Sequence, residues 1–239
     1  MTTLSHTDPA FEKELWQAAV ALRGTVAPAD YKHYVLPLLF LRYLSLRYEA
    51  RQQQLQRLLH DPRSEYYTGD PAMDREVLED PVEYEAVNVF VVPEEASWAY
   101  LQQHARADDI KLKIDNAMRL LEERYPEKLA GVLPRQYARS VLTNDQVAGL
   151  INLFSKDIFA AQDGTDRLGR TYIYFISNFA NTEGRRGGEF FTPASIVRLL
   201  VAMLAPERGQ VFDPACGSCG MFIQSAEFQH NGHRLSFYG

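Results

Sequence analysis

The sequence predicts an α + α/β chain: an all-helical N-terminal domain, then the opening of a parallel α/β layer. Three observations carry this. Over residues 1–160, apolar residues recur at helical spacing between helix-start and helix-stop residues. The polar stretch AQDGTDRLGR (161–170) then breaks the pattern, and the boundary is set inside it, giving domains 1–165 and 166–239. Beyond it, two short β-rich runs, QVFD and RLSFYG, flank a glycine turn and a helix. That order is the grammar of a β-α-β unit.

Taken in order, Asp8-Pro9 followed by FEKELWQAAVALRG predicts a first helix. Asp8 suits the cap, Pro9 the first turn and Gly24 the stop, while Phe11, Leu15, Ala18, Ala19 and Leu22 share one face. A second helix is expected from Ala29 to His60. It is apolar nearly all round from Tyr34 to Leu46, so it forms the buried centre, with Pro37 expected to kink it. After Asp61-Pro62 periodicity is lost until about Val87, and an irregular, acidic, solvated insertion is expected. NVFVVPEEASWAYLQQHA then offers an extended piece, a Pro-Glu-Glu helix start and a helix. A further helix opens at Asp108 or Asp109 and ends near Tyr125-Pro126. In TNDQVAGLINLFSKDIF, Thr143 or Asn144 is the cap, and Val147, Leu150, Ile151 and Phe154 lie on one side. In the second part, TYIYFISNFA reads as a short aromatic helix, NTEGRRGG as a loop, and Ala194–Leu204 as an amphipathic helix. Two strands do not make a stable α/β layer, so the sequence reads as the front part of a longer protein.

Composition narrows the function classes. With 239 residues, 46% apolar and 23% charged, the chain has the make-up of a soluble globular protein. No run approaches the 18 or so apolar residues that a membrane span needs, and the N-terminus lacks the pattern of a secretory signal. Two cysteines make no disulfide framework, so a cytoplasmic setting is expected. The net charge of −6 argues against gripping nucleic acid unaided. The charge is uneven: Asp61–Glu95 holds 11 acids against 2 arginines, leaving the rest of the chain net positive.

DPACGSCGMFIQSAEFQHNGH (213–233) carries the chemistry and admits two readings. Cys216, Cys219, His230 and His233 form a C-x₂-C and an H-x₂-H. However, 10 residues separate the pairs and only 2 separate the histidines, short of the finger spacing, so no metal site is expected. A redox Cys-x-x-Cys is likewise disfavoured, because the pair follows an aspartate-capped strand rather than a thioredoxin context. The alternative is a ligand turn. Asp213 ends a strand, Ala215, Gly217, Ser218 and Gly220 are small enough for close backbone approach, and a helix start follows. The turn matches neither G-x-G-x-x-G nor a phosphate loop with its lysine, and it suits a zwitterionic amino-acid moiety better than a pyrophosphate.

GEFFTPASIVRLLVAML followed by VFDPACGSCGMFI resembles the two cofactor segments of type I restriction–modification methyltransferase subunits, in order and spacing. FEKELWQAAVALRG…ADYKHYVLPLLFLRYLS, VPEEASWAYL and LGRTYIYFISNFA resemble that family's helical domain and its junction, so the likeness covers nearly the whole chain. It implies the start of a Rossmann-like, S-adenosylmethionine-dependent methyltransferase domain acting on adenine N6 in double-stranded DNA. It implies cofactor contacts from Glu189, Phe190, Phe191, Thr192, Pro193 and Ala194, and from Asp213, Ala215, Gly217, Ser218, Cys219 and Gly220. The implied partners are duplex DNA, a specificity subunit, a restriction (nuclease) subunit and a second copy of the chain, with no membrane. Lys32, Arg42 and Arg47 are candidates for contacting that subunit or the DNA backbone, against a reading as ordinary solvated helix positions.

Two departures stand out. Cys219 takes a place where the family usually has glycine, which predicts weakened cofactor binding. The Asn/Asp/Ser-Pro-Pro-Phe/Tyr element that holds a flipped adenine is missing, since the chain has no Pro-Pro pair. No catalytic residue is therefore assigned, and residues 1–239 alone are expected to bind S-adenosylmethionine weakly or not at all. The rival readings are a non-catalytic helical assembly or DNA-clamping module, and another nucleotide-binding α/β enzyme that prefers NAD.

Overall fold

In a computed structural model of the chain, which describes residues 9–27, 30–160, 192, 194–217, 219–228 and 235–239, helix α1 runs Pro9–Leu22. It ends just before Gly24, whose φ of 85° takes the left-handed conformation that stops helices cheaply. Leu15, Ala18 and Leu22 are fully buried, the inward face the spacing predicts. Helix α2 (Tyr31–His60) continues through Pro37. Val35, Leu38, Leu39, Leu41 and Leu44 are buried and make it the centre of the first unit. Fully burying one such side chain is worth about 1.5–3 kcal/mol, so this run contributes substantially to the unit's stability.

The acidic insertion corrects the expectation of an irregular loop. It contains α3 (Pro71–Glu79) and α4 (Val82–Glu85). Helix α3 buries no residue fully. Instead, it is started locally: Asp70 accepts from the Ala72 N–H at 2.8 Å and Pro71 occupies the first turn. Tyr84 then anchors the segment. It is buried with Leu55 and Val89, flanked by Tyr48, Tyr66, Leu78 and Val91, and its hydroxyl donates to the Leu78 carbonyl at 2.6 Å. From α2, Arg51 reaches Glu83, donating to its backbone oxygen at 3.0 Å and pairing with its carboxylate at 3.2 Å. Tyr66 donates to the same carboxylate at 2.9 Å.

A 3₁₀ turn (Glu94–Ala96) leads into α5 (Trp98–Gln103). Trp98 is fully buried and joins three elements: its N–H donates to Ser45 Oγ and its indole Nε1 to Ser155 Oγ, both at 2.8 Å. Helix α6 (Ile110–Arg124) starts after Asp109 as expected and is followed by α7 (Pro126–Leu129). Asp115 on α6 accepts from the Tyr137 and Ala138 N–H groups at 3.0 and 2.9 Å, fixing the segment that buries Tyr137. Helix α8 (Asn144–Phe154) opens with a complete capping box: Thr143 Oγ1 accepts from the Gln146 N–H, and Gln146 Oε1 from the Thr143 N–H. Gln146 also donates to Ala21 O and Thr25 Oγ1, joining α8 to the end of α1. Helix α9 (Asp157–Ala160) follows. No described helix is long and apolar enough to cross a membrane.

The chain divides into two compact units, Met1–Phe175 and Ile176–Gly239. The second contains α10 (Ala194–Leu204), β1 (Gly209–Phe212), α11 (Gly220–Phe228) and β2 (Leu235–Tyr238). The strands pair in parallel, from Gly209 opposite Leu235 to Phe212 opposite Tyr238. That is the β-α-β unit expected from QVFD and RLSFYG. Helix α10 packs against α11, and α11 lays Phe222 over Phe237 of β2 with ring centroids 5.3 Å apart. The expected aromatic helix at 171–180 and loop at 181–188 lie outside the described residues.

Candidate methyl-donor turn

The site is the bend between β1 and α11. As β1 ends, the Asp213 N–H extends the ladder by donating to Tyr238 O at 2.9 Å. The Asp213 carboxylate folds back onto the turn, where Oδ1 accepts from the Ala215 N–H at 3.0 Å. This Asx turn is why an aspartate followed by proline and alanine folds this way locally. The Cys219 N–H then donates to Cys216 O at 2.8 Å and closes a four-residue turn, and the Ile223 N–H donates to Cys219 O at 3.0 Å as α11 begins.

Two residues of the bend occupy the left-handed region, Gly217 at φ 52° and Cys219 at φ 61°. Glycine takes that conformation freely, whereas an L residue with a Cβ is strained there by about 1–2 kcal/mol. The position that departs from the family's glycine is therefore one where the backbone favours glycine. The N–H groups of the first turn of α11 have no carbonyl of their own helix to bond, so they present partial positive charge at the bend.

The two thiols are free and half-buried, with Cys219 Sγ donating to Cys216 Sγ at 3.9 Å. That hydrogen bond, followed by burial, raises the Cys216 thiol pKa above its ordinary value. His230 and His233 lie outside the described residues, and among the described residues no three His, Cys, Asp or Glu side chains gather as a metal site.

Of the first predicted segment, Glu189, Phe190, Phe191 and Pro193 lie outside the described residues. Thr192 is exposed and Ala194 begins α10, the helix that packs on α11. Of the second segment, Asp213, Ala215, Gly217, Cys219 and Gly220 are gathered in the bend, and Ser218 lies outside the described residues. The sequence reading missed Gly239. A Cβ there would stand 2.7 Å from Asp213 O and 2.9 Å from Cys216 Sγ, so the residue after β2 must lack a side chain for the bend to sit against it.

Among the basic candidates, Arg42 lies over the Trp98 ring at 5.7 Å, with its Nε buried and unbonded. Burial lowers its pKa, so it belongs to the packing. Arg47 is exposed and lines a groove with Arg51, Gln53, Gln54, Arg57, Val87 and Val89. The side chain of Lys32 is outside the described set.

A helical domain followed by a parallel β-α-β unit with a glycine-bearing bend at its first strand end defines the class: an α/β module carrying a helical N-terminal domain. The chain belongs to the HsdM N-terminal domain family, whose model matches residues 11–156. Residues 163–239 match the N-6 DNA Methylase model. Among similar proteins, the Type I restriction enzyme MjaIX methylase subunit of Methanocaldococcus jannaschii is 39% identical over 236 residues, covering 97% of this chain and 42% of that protein. The HindI methylase subunit of Haemophilus influenzae is 43% identical over 139 residues, 53% of this chain and 31% of that protein. The chain thus spans less than half the length of these relatives. The crystal structure of a type I restriction-modification system methyltransferase subunit from Streptococcus thermophilus has the same fold, with a TM-score of 0.67 at 22% identity, covering 98% of this chain and 52% of that one.

Proposed function

We propose that this chain is the N-terminal part of the modification subunit of a type I restriction–modification system. The whole protein then transfers a methyl group from S-adenosylmethionine to adenine N6 in double-stranded DNA. The observation that carries the reading is the Asp213–Gly220 bend at the end of β1, attached to a domain of the HsdM N-terminal family. In this reading residues 1–165 are the helical domain and 166–239 open the methyltransferase domain.

The bend's small residues and the first amides of α11 receive the methionine end of the donor. Asp213 holds the bend's shape through Ala215. Glu189 to Pro193, with Ala194 at the start of α10, cover the donor's other side. S-adenosylmethionine, when bound, supplies an activated methyl on a sulfonium; every other role falls to positioning and to shielding the donor from water. Exposed apolar residues of the second unit, among them Leu199, Met203, Phe212 and Ile223, suit coverage by further layers of a larger sheet. The expected partners are duplex DNA, a specificity subunit, a nuclease subunit and a second copy of the chain, in the cytoplasm.

The groove with Arg47 and Arg57 favours a second role alongside this one, in which the helical domain steadies the DNA backbone or a partner subunit. The test is transfer of labelled methyl from S-adenosylmethionine to duplex DNA by the full-length protein with its specificity subunit. N6-methyladenine in the digested DNA supports the reading. Its absence, with tighter binding of NAD than of S-adenosylmethionine, overturns it.

A further inference from the structure

The sequence context disfavours a redox Cys-x-x-Cys, but the two sulfurs stand 3.9 Å apart, and the reading above uses the bend's backbone and leaves both thiols unemployed. We propose that Cys216 and Cys219 are an oxidisable pair that closes reversibly into a disulfide by exchange with a low-molecular-weight disulfide, and that closure weakens the methyl-donor site built on the same turn. The second half rests on the proposed function; the first half does not.

Three features make the pair suited to closure. The sulfurs lie 3.9 Å apart and both cysteines are half-buried, so they are neither sealed in a core nor held apart. The hydrogen bond from the Cys219 N–H to Cys216 O makes them the first and last residues of one turn. The ends of such a turn lie within about 7 Å, while a disulfide spans Cα separations of about 4.4–6.8 Å. Closure therefore needs side-chain rotation to bring the sulfurs to about 2 Å, not a new backbone path. Finally, Cys219 stands at φ 61°, where glycine would be unstrained, and no buried core claims its side chain.

The chemistry balances. The Cys219 thiol loses its proton to water, and the thiolate attacks one sulfur of the small disulfide. The S–S bond breaks, one small thiolate leaves, and a mixed disulfide remains on Cys219. Cys216, its sulfur backed against Gly239, then gives up its proton and attacks Cys219 Sγ, releasing the second small thiolate. Two protein thiols are oxidised by two electrons to one disulfide. The small disulfide is reduced to two thiols, and excess small thiol runs the exchange backwards. The closed ring ties the two ends of the turn, so the amides between them can no longer adjust around a ligand.

The test equilibrates the full-length protein in glutathione mixtures of graded oxidised-to-reduced ratio, alkylates the remaining thiols, and maps the peptide containing residues 213–223. Calorimetry with S-adenosylmethionine is run on the fully reduced and fully oxidised forms of the wild type and of Cys216→Ser. The expected result is that both thiols become unreactive together, with the peptide two hydrogens lighter and restored by excess thiol. Affinity for S-adenosylmethionine then falls about tenfold, a change of roughly 1.4 kcal/mol, in the wild type, whereas Cys216→Ser stops at a glutathione adduct on Cys219 and forms no ring. Two thiols alkylated at every ratio, or glutathione adducts that never resolve into a ring, overturn the disulfide. A ring that forms while affinity stays unchanged overturns the switch. If the reduced protein binds no S-adenosylmethionine, the donor-site reading fails and the peptide map still decides whether the pair closes.

Discussion

At the scale of single residues, the bend is governed by backbone conformation. Cys219 has φ 61°, in the region where a Cβ is strained, so Cys219→Gly removes the strain and opens the closest approach to the backbone. The expected outcome is a second unit more stable by about 1 kcal/mol and tighter binding of S-adenosylmethionine by the full-length protein, read by thermal denaturation and calorimetry. Weaker binding with unchanged stability would contradict this view of the turn. Tyr84 is the residue-scale anchor of the acidic insertion. Burial first, then the neighbouring Tyr48, push its phenol up to about 12 from an ordinary 10.0. The folded state therefore keeps a proton that the unfolded state loses. The resulting stability is fully present below pH 10 and is lost as pH rises through 12. Tyr84→Phe is expected to cost about 1 kcal/mol at neutral pH through the lost hydrogen bond to Leu78 O. Its stability, followed by denaturant titration, should also fall less steeply with pH over that window than the wild type's.

At the scale of elements, legibility followed whether the sequence carried a boundary residue or an apolar period. Helix α8 had both: Thr143 caps it and its apolar face is buried. Helix α10 was read to its end residues, Ala194 and Leu204. Helix α3 had no fully buried residue, and Asp70-Pro71 announced its start. Arg51 was invisible as a tether because its partner, Glu83, is 32 residues away, and no local pattern encodes a contact of that range. In the bend, the aspartate, the small residues and the helix start were legible. The demand for glycine at 239 was not, because it arises only when β2 pairs beside β1 and brings Gly239 against Asp213 O. The capping box gives the element-scale prediction. Thr143→Ala breaks the bond to the Gln146 N–H and loosens the Gln146 link to α1. It is expected to lower stability by about 1 kcal/mol, seen as a lower denaturant midpoint with an unchanged slope. An unaltered midpoint would show that α8 is held by packing alone.

At the scale of the whole molecule, the two units divide the work. The helical unit builds its own core around α2 and Trp98 and needs no ligand to explain its buried residues. The second unit exposes large apolar side chains, Met203 at 74% and Phe212 at 70%, and the donor site proposed for it is the bend after β1. The central claim is that the Asp213–Gly220 bend receives S-adenosylmethionine. Its most direct measurement is a calorimetric titration of S-adenosylmethionine into the full-length protein and its Asp213→Ala variant. That substitution removes the carboxylate that holds the Ala215 N–H. The account predicts saturable one-site binding by the wild type and at least a roughly tenfold loss in the variant, with the thermal transition of the helical unit unmoved. Equal affinity in both proteins would contradict it.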